Sequence, residues 1–295
     1  MSSQTKAPLT LSVDAKRVPY YVLGAGVLSA VVLFLLDYHV NYGRWTEIGA
    51  LRRMFNTTRE DSIASWFAVT QTVFIALTVW VLFWASRGAS VWRRRGWLVL
   101  ALFFTYMAVD DGATIHERLG TAYDETRLAG DSVLDVFPSY AWQVAVLPGF
   151  VVLGLFTFFF LLRELRTTRA KATLFLALSG LAFAVGLDFV EGLEREHPLN
   201  LYTHAAAQFE LEAWTQARFD HSEYSTYVHF SKSVEEMLEI VSMSVLWFVF
   251  LQHLLGSASG AVVQFRRETD PVFARDAAAI ESEHEAVPVG AQLSV

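Results

Sequence analysis

Asp110, Asp111, His116 and Glu117, then Asp188 and Glu191, then Glu235, Glu236 and Glu239 stand in three groups at the ends of apolar runs. Carboxylates and imidazoles are the side chains that hold non-haem iron, manganese and zinc. In helical bundles they converge on the metal from facing helices. Helical spacing puts Asp110 and Glu117 (i,i+7), Asp188 and Glu191 (i,i+3), and Glu235 and Glu239 (i,i+4) on shared stripes. His229 lies one stripe above Glu236. The expected ligand set of a divalent metal (iron, manganese or zinc) is therefore Asp110, His116, Glu117, Asp188, Glu191, His229, Glu236 and Glu239. Such a site does oxidative or hydrolytic chemistry. The corresponding function is a metal-dependent membrane enzyme acting on a lipid or a small apolar substrate.

Two other readings use the same residues. Arg118, Arg195, Arg218 and Lys232 lie close in sequence to the acidic groups. They can neutralise the acids, leaving a structural or proton-carrying network in a non-enzymatic membrane subunit. Intramembrane acids also mark cation pathways. Here, however, the other halves of the same runs are almost wholly apolar, and no inverted repeat relates the two halves of the chain. The familiar catalytic motifs are missing. Glu194 and His197 make a single Glu-x-x-His, the HERLG after Ile115 lacks the second His of a zinc motif, and GSASG at 256–260 has Ala at the nucleophile position.

These residues must be positioned by transmembrane helices. A helix needs about 20 residues to cross the hydrocarbon core, and inside lipid its backbone must bond to itself. Six segments qualify, at roughly 19–38, 65–86, 96–117, 141–162, 172–191 and 235–255. The expected fold is an all-α, six-helix integral membrane bundle over 18–262. It is flanked by an N-terminal tail (1–17) and a flexible acidic C-terminal tail (263–295). The first, second and fourth spans have apolar stretches close to full spanning length. The third, fifth and sixth reach full length only by including their acids. At 1.5 Å per residue, Asp110 lies roughly 20 Å from Trp97, Asp188 roughly 25 Å from Lys171 and Glu239 roughly 24 Å from Leu255. All three therefore fall at one depth, in the outer third of the membrane. On this reading Glu235 and Glu236 open the sixth helix, where its dipole favours anions.

Charge gives the orientation. The loops SRGASVWRRRG and RELRTTRAK are strongly basic, and with the two tails they hold 14 of the 23 Lys and Arg. That places both termini in the cytoplasm of a cell (plasma or inner) membrane. The opposite end carries 22 of the 30 Asp and Glu and six of the eight His. Gly180 and Ala184 form a small-residue face suited to close helix packing, and residues 203–217 read as one amphipathic interfacial helix. Trp66, Trp142 and Tyr140 read as outer interface anchors, and Trp92 and Trp97 as inner ones. The absence of Cys excludes thiolate ligands and disulfides. A net charge of −7 argues against nucleic acid as a partner. The lipid bilayer is the expected partner; the sequence names no protein partner and fixes no oligomeric state.

Overall fold

The computed structural model describes residues 14–126 and 137–257. The expectations for residues 1–13, and for the tail at 263–295, lie outside the described residues. Within them the chain is all-helical, without strands. Six helices are long and apolar enough to cross a membrane, which makes this a multi-pass membrane protein. They are α1 (Val18–Leu36), α3 (Ile63–Ala85), α4 (Val91–Ala113), α7 (Leu147–Glu164), α8 (Thr168–Glu191) and α11 (Glu223–Ser257). Shorter helices connect them: α2 (Gly49–Phe55), α5 (Ile115–Thr126), α6 (Ala141–Ala145), α9 (Leu201–Phe209) and α10 (Glu212–Phe219). Ser62, Ser90 and Thr167 open α3, α4 and α8 by accepting from the amides of Ser65, Arg93 and Ala170. Each satisfies a donor that the first helical turn leaves unpaired.

Four elements differ from the sequence reading. The third span does not run through to Glu117. Thr114 takes a left-handed conformation (φ 49°) and closes α4, so His116 and Glu117 belong to α5, and Asp110 and Glu117 share no stripe. The fourth span breaks at Val146, because Pro148 lies in the first turn of α7 and its ring cannot continue the preceding helix. The sixth begins at Glu223, so Glu235 and Glu236 lie three turns inside α11 and receive no support from its N-terminal dipole. The stretch at 203–217 is two helices, with Glu210 left-handed between them (φ 51°).

Helix α11 is the centre of the bundle. Half of its apolar window is buried, against about a fifth for α1, α7 and α8, which face lipid. It packs on α8, α1 and α3. Away from the acids the core is apolar, with Ile75, Val79, Leu100, Leu161, Leu246 and Phe250 almost fully enclosed. Trp97 belongs to this core rather than to an interface. It is 1% exposed and sits among Phe160, Phe250 and His253.

Two glycines let α11 approach its neighbours. A Cβ on Gly180 of α8 would lie 2.1 Å from Ser242 Oγ, and one on Gly26 of α1 would lie 1.9 Å from Ser244 Oγ. Residues 242 and 244 are about 200° apart on a helix, so they face different neighbours. Ser244 cannot turn away freely: it accepts from Gln71 Nε2 at 2.6 Å and donates to the Ile240 carbonyl at 2.8 Å. Gly26→Ala should therefore destabilise the purified protein by about 1–3 kcal/mol through overpacking. Gly24→Ala, with nothing within 4 Å of the new methyl, should be neutral or stabilising by up to about 1 kcal/mol. Thermal unfolding in detergent measures both.

Candidate functional site

The acidic end of the bundle holds three polar centres, each shared between α11 or α4 and a neighbouring element. The first joins α6, α8 and α11. Asp188 and Glu191 occupy the last turn of α8, and Glu235 faces them from α11. One ligand-capable oxygen from each lies within 4.8 Å of the other two. Gln143 of α6 donates Nε2 to Asp188 Oδ2 at 2.7 Å. Glu191 Oε1 accepts from the Tyr140 hydroxyl at 3.2 Å and from Lys232 Nζ at 3.4 Å. The segment carrying Tyr140 and Gln143 is drawn against the end of α8. Ser139 Oγ donates to the Phe189 carbonyl at 2.9 Å, and a Cβ on Gly192 would come within 3.0 Å of the Tyr140 amide nitrogen. Only glycine fits there.

This centre has more acceptors than donors. Among the described residues, Gln143 Oε1, Glu191 Oε2 and Glu235 Oε2 are buried without a hydrogen-bond partner. Gln143 and Glu235 are only 4% and 8% exposed. A buried polar atom left unpaired costs roughly 1–3 kcal/mol, and native structures contain few. Charge points the same way. Three carboxylates face one ammonium, Lys232, so two negative charges remain, to be met by a divalent cation or by protons. The donors are all oxygen, a set that suits hard cations such as manganese, magnesium and calcium better than zinc.

The second centre closes the α4–α5 junction. Asp110 is 1% exposed. Its Oδ1 accepts from the His116 backbone amide at 2.9 Å, and its Oδ2 meets His116 Nδ1 at 2.7 Å. The first bond satisfies an amide in the opening turn of α5, doing the work of an N-cap. The second fixes the imidazole, which also packs edge-on against Trp142 at 4.9 Å. With Nδ1 committed to Asp110, Nε2 is the ring nitrogen left to exchange a proton or bind a metal. Burial opposes charging of His116. The hydrogen bond and negative charge of Asp110 outweigh it, so its pKa lies above the ordinary histidine value.

The third centre is the one the sequence reading missed. Asp37, at the end of α1, is fully buried. There the helix widens into a π-helical turn, Asp37–Tyr42. The carboxylate accepts from Asn41 Nδ2 at 2.7 Å and Ser233 Oγ at 2.7 Å, and His229 Nε2 lies 2.8 Å away. Tyr42 stacks on His229 at 4.2 Å and on His221 at 4.8 Å, while its hydroxyl donates to Thr226 at 3.0 Å. A signal was present: Asp37 and Asn41, like His229 and Ser233, are i,i+4 pairs of polar residues within helical segments.

The eight expected ligands are thus distributed. Asp188 and Glu191 share the first centre, joined by Glu235. Asp110 and His116 pair with each other, and His229 pairs with Asp37. Glu117 is exposed on α5. Glu236 and Glu239 are half-buried on α11 outside the ligand-distance group. Electrostatics still link them: Glu239 is within coulombic reach of Asp111, Asp188, Glu60 and His116, and Glu236 of Glu60, Glu235 and Lys232.

Residues 22–254 match the family DUF8692, described as a domain of unknown function. The chain belongs to this family. No curated protein and no solved structure matches it.

The raised His116 pKa has a sign that can be tested. An imidazole charged more readily in the folded state stabilises it fully below the unfolded-state pKa of about 6.5. That contribution is lost as pH rises through the higher folded value. The melting temperature of the native protein should fall more steeply above pH 6.5 than that of His116→Gln. Parallel pH profiles for the two would show that the Asp110–His116 pair contributes no charge-dependent stability.

Proposed function

We propose that this is a metal-dependent membrane enzyme whose metal is a hard divalent cation bound by Asp188, Glu191 and Glu235, with Gln143 Oε1 completing the set. The observation that carries this reading is the group of buried, unpartnered acceptors around three carboxylates whose ligand atoms lie within 4.8 Å of one another. When bound, such a cation supplies Lewis acidity and charge neutralisation. Within the range of iron, manganese and zinc, the all-oxygen donors favour manganese, with magnesium and calcium as chemical equivalents. The protein's own contribution is positional. Gln143 and Tyr140 hold Asp188 and Glu191 in place, and His116, anchored on Asp110, is the group able to accept or donate a proton at Nε2. The substrate class is a lipid or a small apolar molecule, because the site lies at one end of a membrane-spanning bundle with an apolar core. That core also argues against a through-going transport path.

A second reading is favoured by one observation, the Lys232–Glu191 contact at 3.4 Å. A resident ammonium plus protons shared among the carboxylates would make the centre a proton-carrying network. The two readings separate on metal content. Protein purified without chelator and titrated with Mn2+ should bind it stoichiometrically. Asp188→Asn and Glu235→Gln should each weaken binding at least tenfold, a typical loss when a metal's ligand shell is altered, while the protein still folds. Folded native protein that takes up no Mn2+, Mg2+ or Ca2+ would sink the metal reading and leave the proton network.

The orientation belongs to the same proposal: both termini in the cytoplasm of a cell (plasma or inner) membrane, and the carboxylate centre facing out. A reporter active only outside the cytoplasm should be active when fused after Tyr123 and silent after Arg94. The reverse result inverts the topology.

A further inference from the structure

At the opposite end of the bundle from the acids lies a cavity of about 730 Å³. It opens where α1, α4 and α8 begin and α11 ends, and none of the residues already assigned to the acidic end lines it. Its polar lining is basic. Lys16, Arg93 and Arg166 line it, together with Gln252 and His253 of α11, and among the described residues no Asp or Glu does. Asp14, just before the lining residues, accepts from the Lys16 backbone amide at 3.1 Å, and Glu164 engages Arg93 Nε at 2.6 Å. That bond orients the guanidinium and leaves its terminal nitrogens for another acceptor. Thr167 and Ala170, also in the lining, form the capped first turn of α8. The positive pole of this 24-residue helix therefore adds to the cations. In a chain of net charge −7, this is a local reversal of sign.

The remainder of the lining is apolar: Pro19 and Tyr20 of α1, Leu165, and Val249 and Leu255 of α11. Cations beside an apolar wall on membrane-spanning helices match an amphiphile with an anionic head. Basic pockets between transmembrane helices are a recurring way of binding phosphorylated headgroups.

We propose that this cavity binds a phosphate group, carried by an anionic phospholipid headgroup or present as free phosphate. Lys16 and Arg166 supply the charge, Arg93 the oriented guanidinium, and Tyr20 and Leu255 the surface for an acyl chain. The inference stands apart from the metal reading, because no residue is common to the two sites.

The test uses the full chain in neutral detergent and follows its melting temperature during three titrations: dioctanoyl-phosphatidylglycerol, dioctanoyl-phosphatidylcholine and inorganic phosphate. The phosphatidylglycerol should stabilise saturably, and the zwitterionic lipid should do so far less. Lys16→Gln and Arg166→Gln affect exposed side chains, so they should leave the unliganded melting temperature unchanged. Each should raise the half-saturating concentration about fivefold, and the pair about 25-fold, as expected for one surface charge each. Arg87→Gln, on the same basic end but outside the lining, should have little effect. Stabilisation by inorganic phosphate matching that of the lipid identifies free phosphate as sufficient, and stabilisation by the lipid alone identifies the headgroup. Equal stabilisation by phosphatidylcholine, or a phosphatidylglycerol response unchanged in the double variant, overturns the proposal.

Discussion

A carboxylate cannot stay ionised beside hydrocarbon without a donor, a cation or a proton to answer it. In this protein one helix supplies such answers to two of its neighbours. Along α11, His229 and Ser233 serve Asp37 of α1, and Lys232 serves Glu191 of α8. A few turns further, the same helix presents Ser242 and Ser244 to glycines of α8 and α1, and then Leu246, Val249 and Phe250 to the apolar core. The bundle is thus assembled around a single element whose side chains change from polar partners to core as it crosses the membrane. Helices α1 and α8 find partners for their polar ends on α11.

This arrangement explains which parts of the structure could be read from the sequence. Six membrane helices follow from apolar run length, because lipid leaves the backbone no other option. The small face around Gly180 was legible for a similar reason, since only close packing rewards a glycine there. The ends of the helices were less legible. Thr114 stops α4 in a left-handed conformation that threonine seldom adopts, held by the bonds Asp110 makes to His116. No local preference announces it. The twelve residues from Glu223 to Val234 look too polar to extend a span. They do so because Thr226, His229 and Ser233 find partners on the π-helical turn of α1, almost two hundred positions earlier.

For the candidate site, spacing gathered acids at one end of the bundle, but not in the groups the structure forms. Stripe arguments assign residues to a helix face and say nothing of which helices meet. Asp188 and Glu191 were paired correctly as neighbours, while their partner from α11 is Glu235 rather than Glu236 or Glu239 at ligand distance. Gln143 lies in the fourth span and had no place in the expected ligand set. Its importance lies in an amide that uses one end on Asp188 and leaves the other buried.

The glycine contacts of α11 also limit how the sequence can change in length. Its share of the carboxylate centre is Glu235 and its tight glycine contacts begin at Ser242, so seven residues, close to two turns, separate two sets of fixed neighbours. Adding or removing one residue in that interval would rotate everything beyond it by about 100° and shift it by about 1.5 Å. One set would then lose its partners. Sequences related to this one can vary freely in the lipid-facing positions of α7 or α8, but the spacing between these two levels of α11 should be held constant, whichever residues fill it.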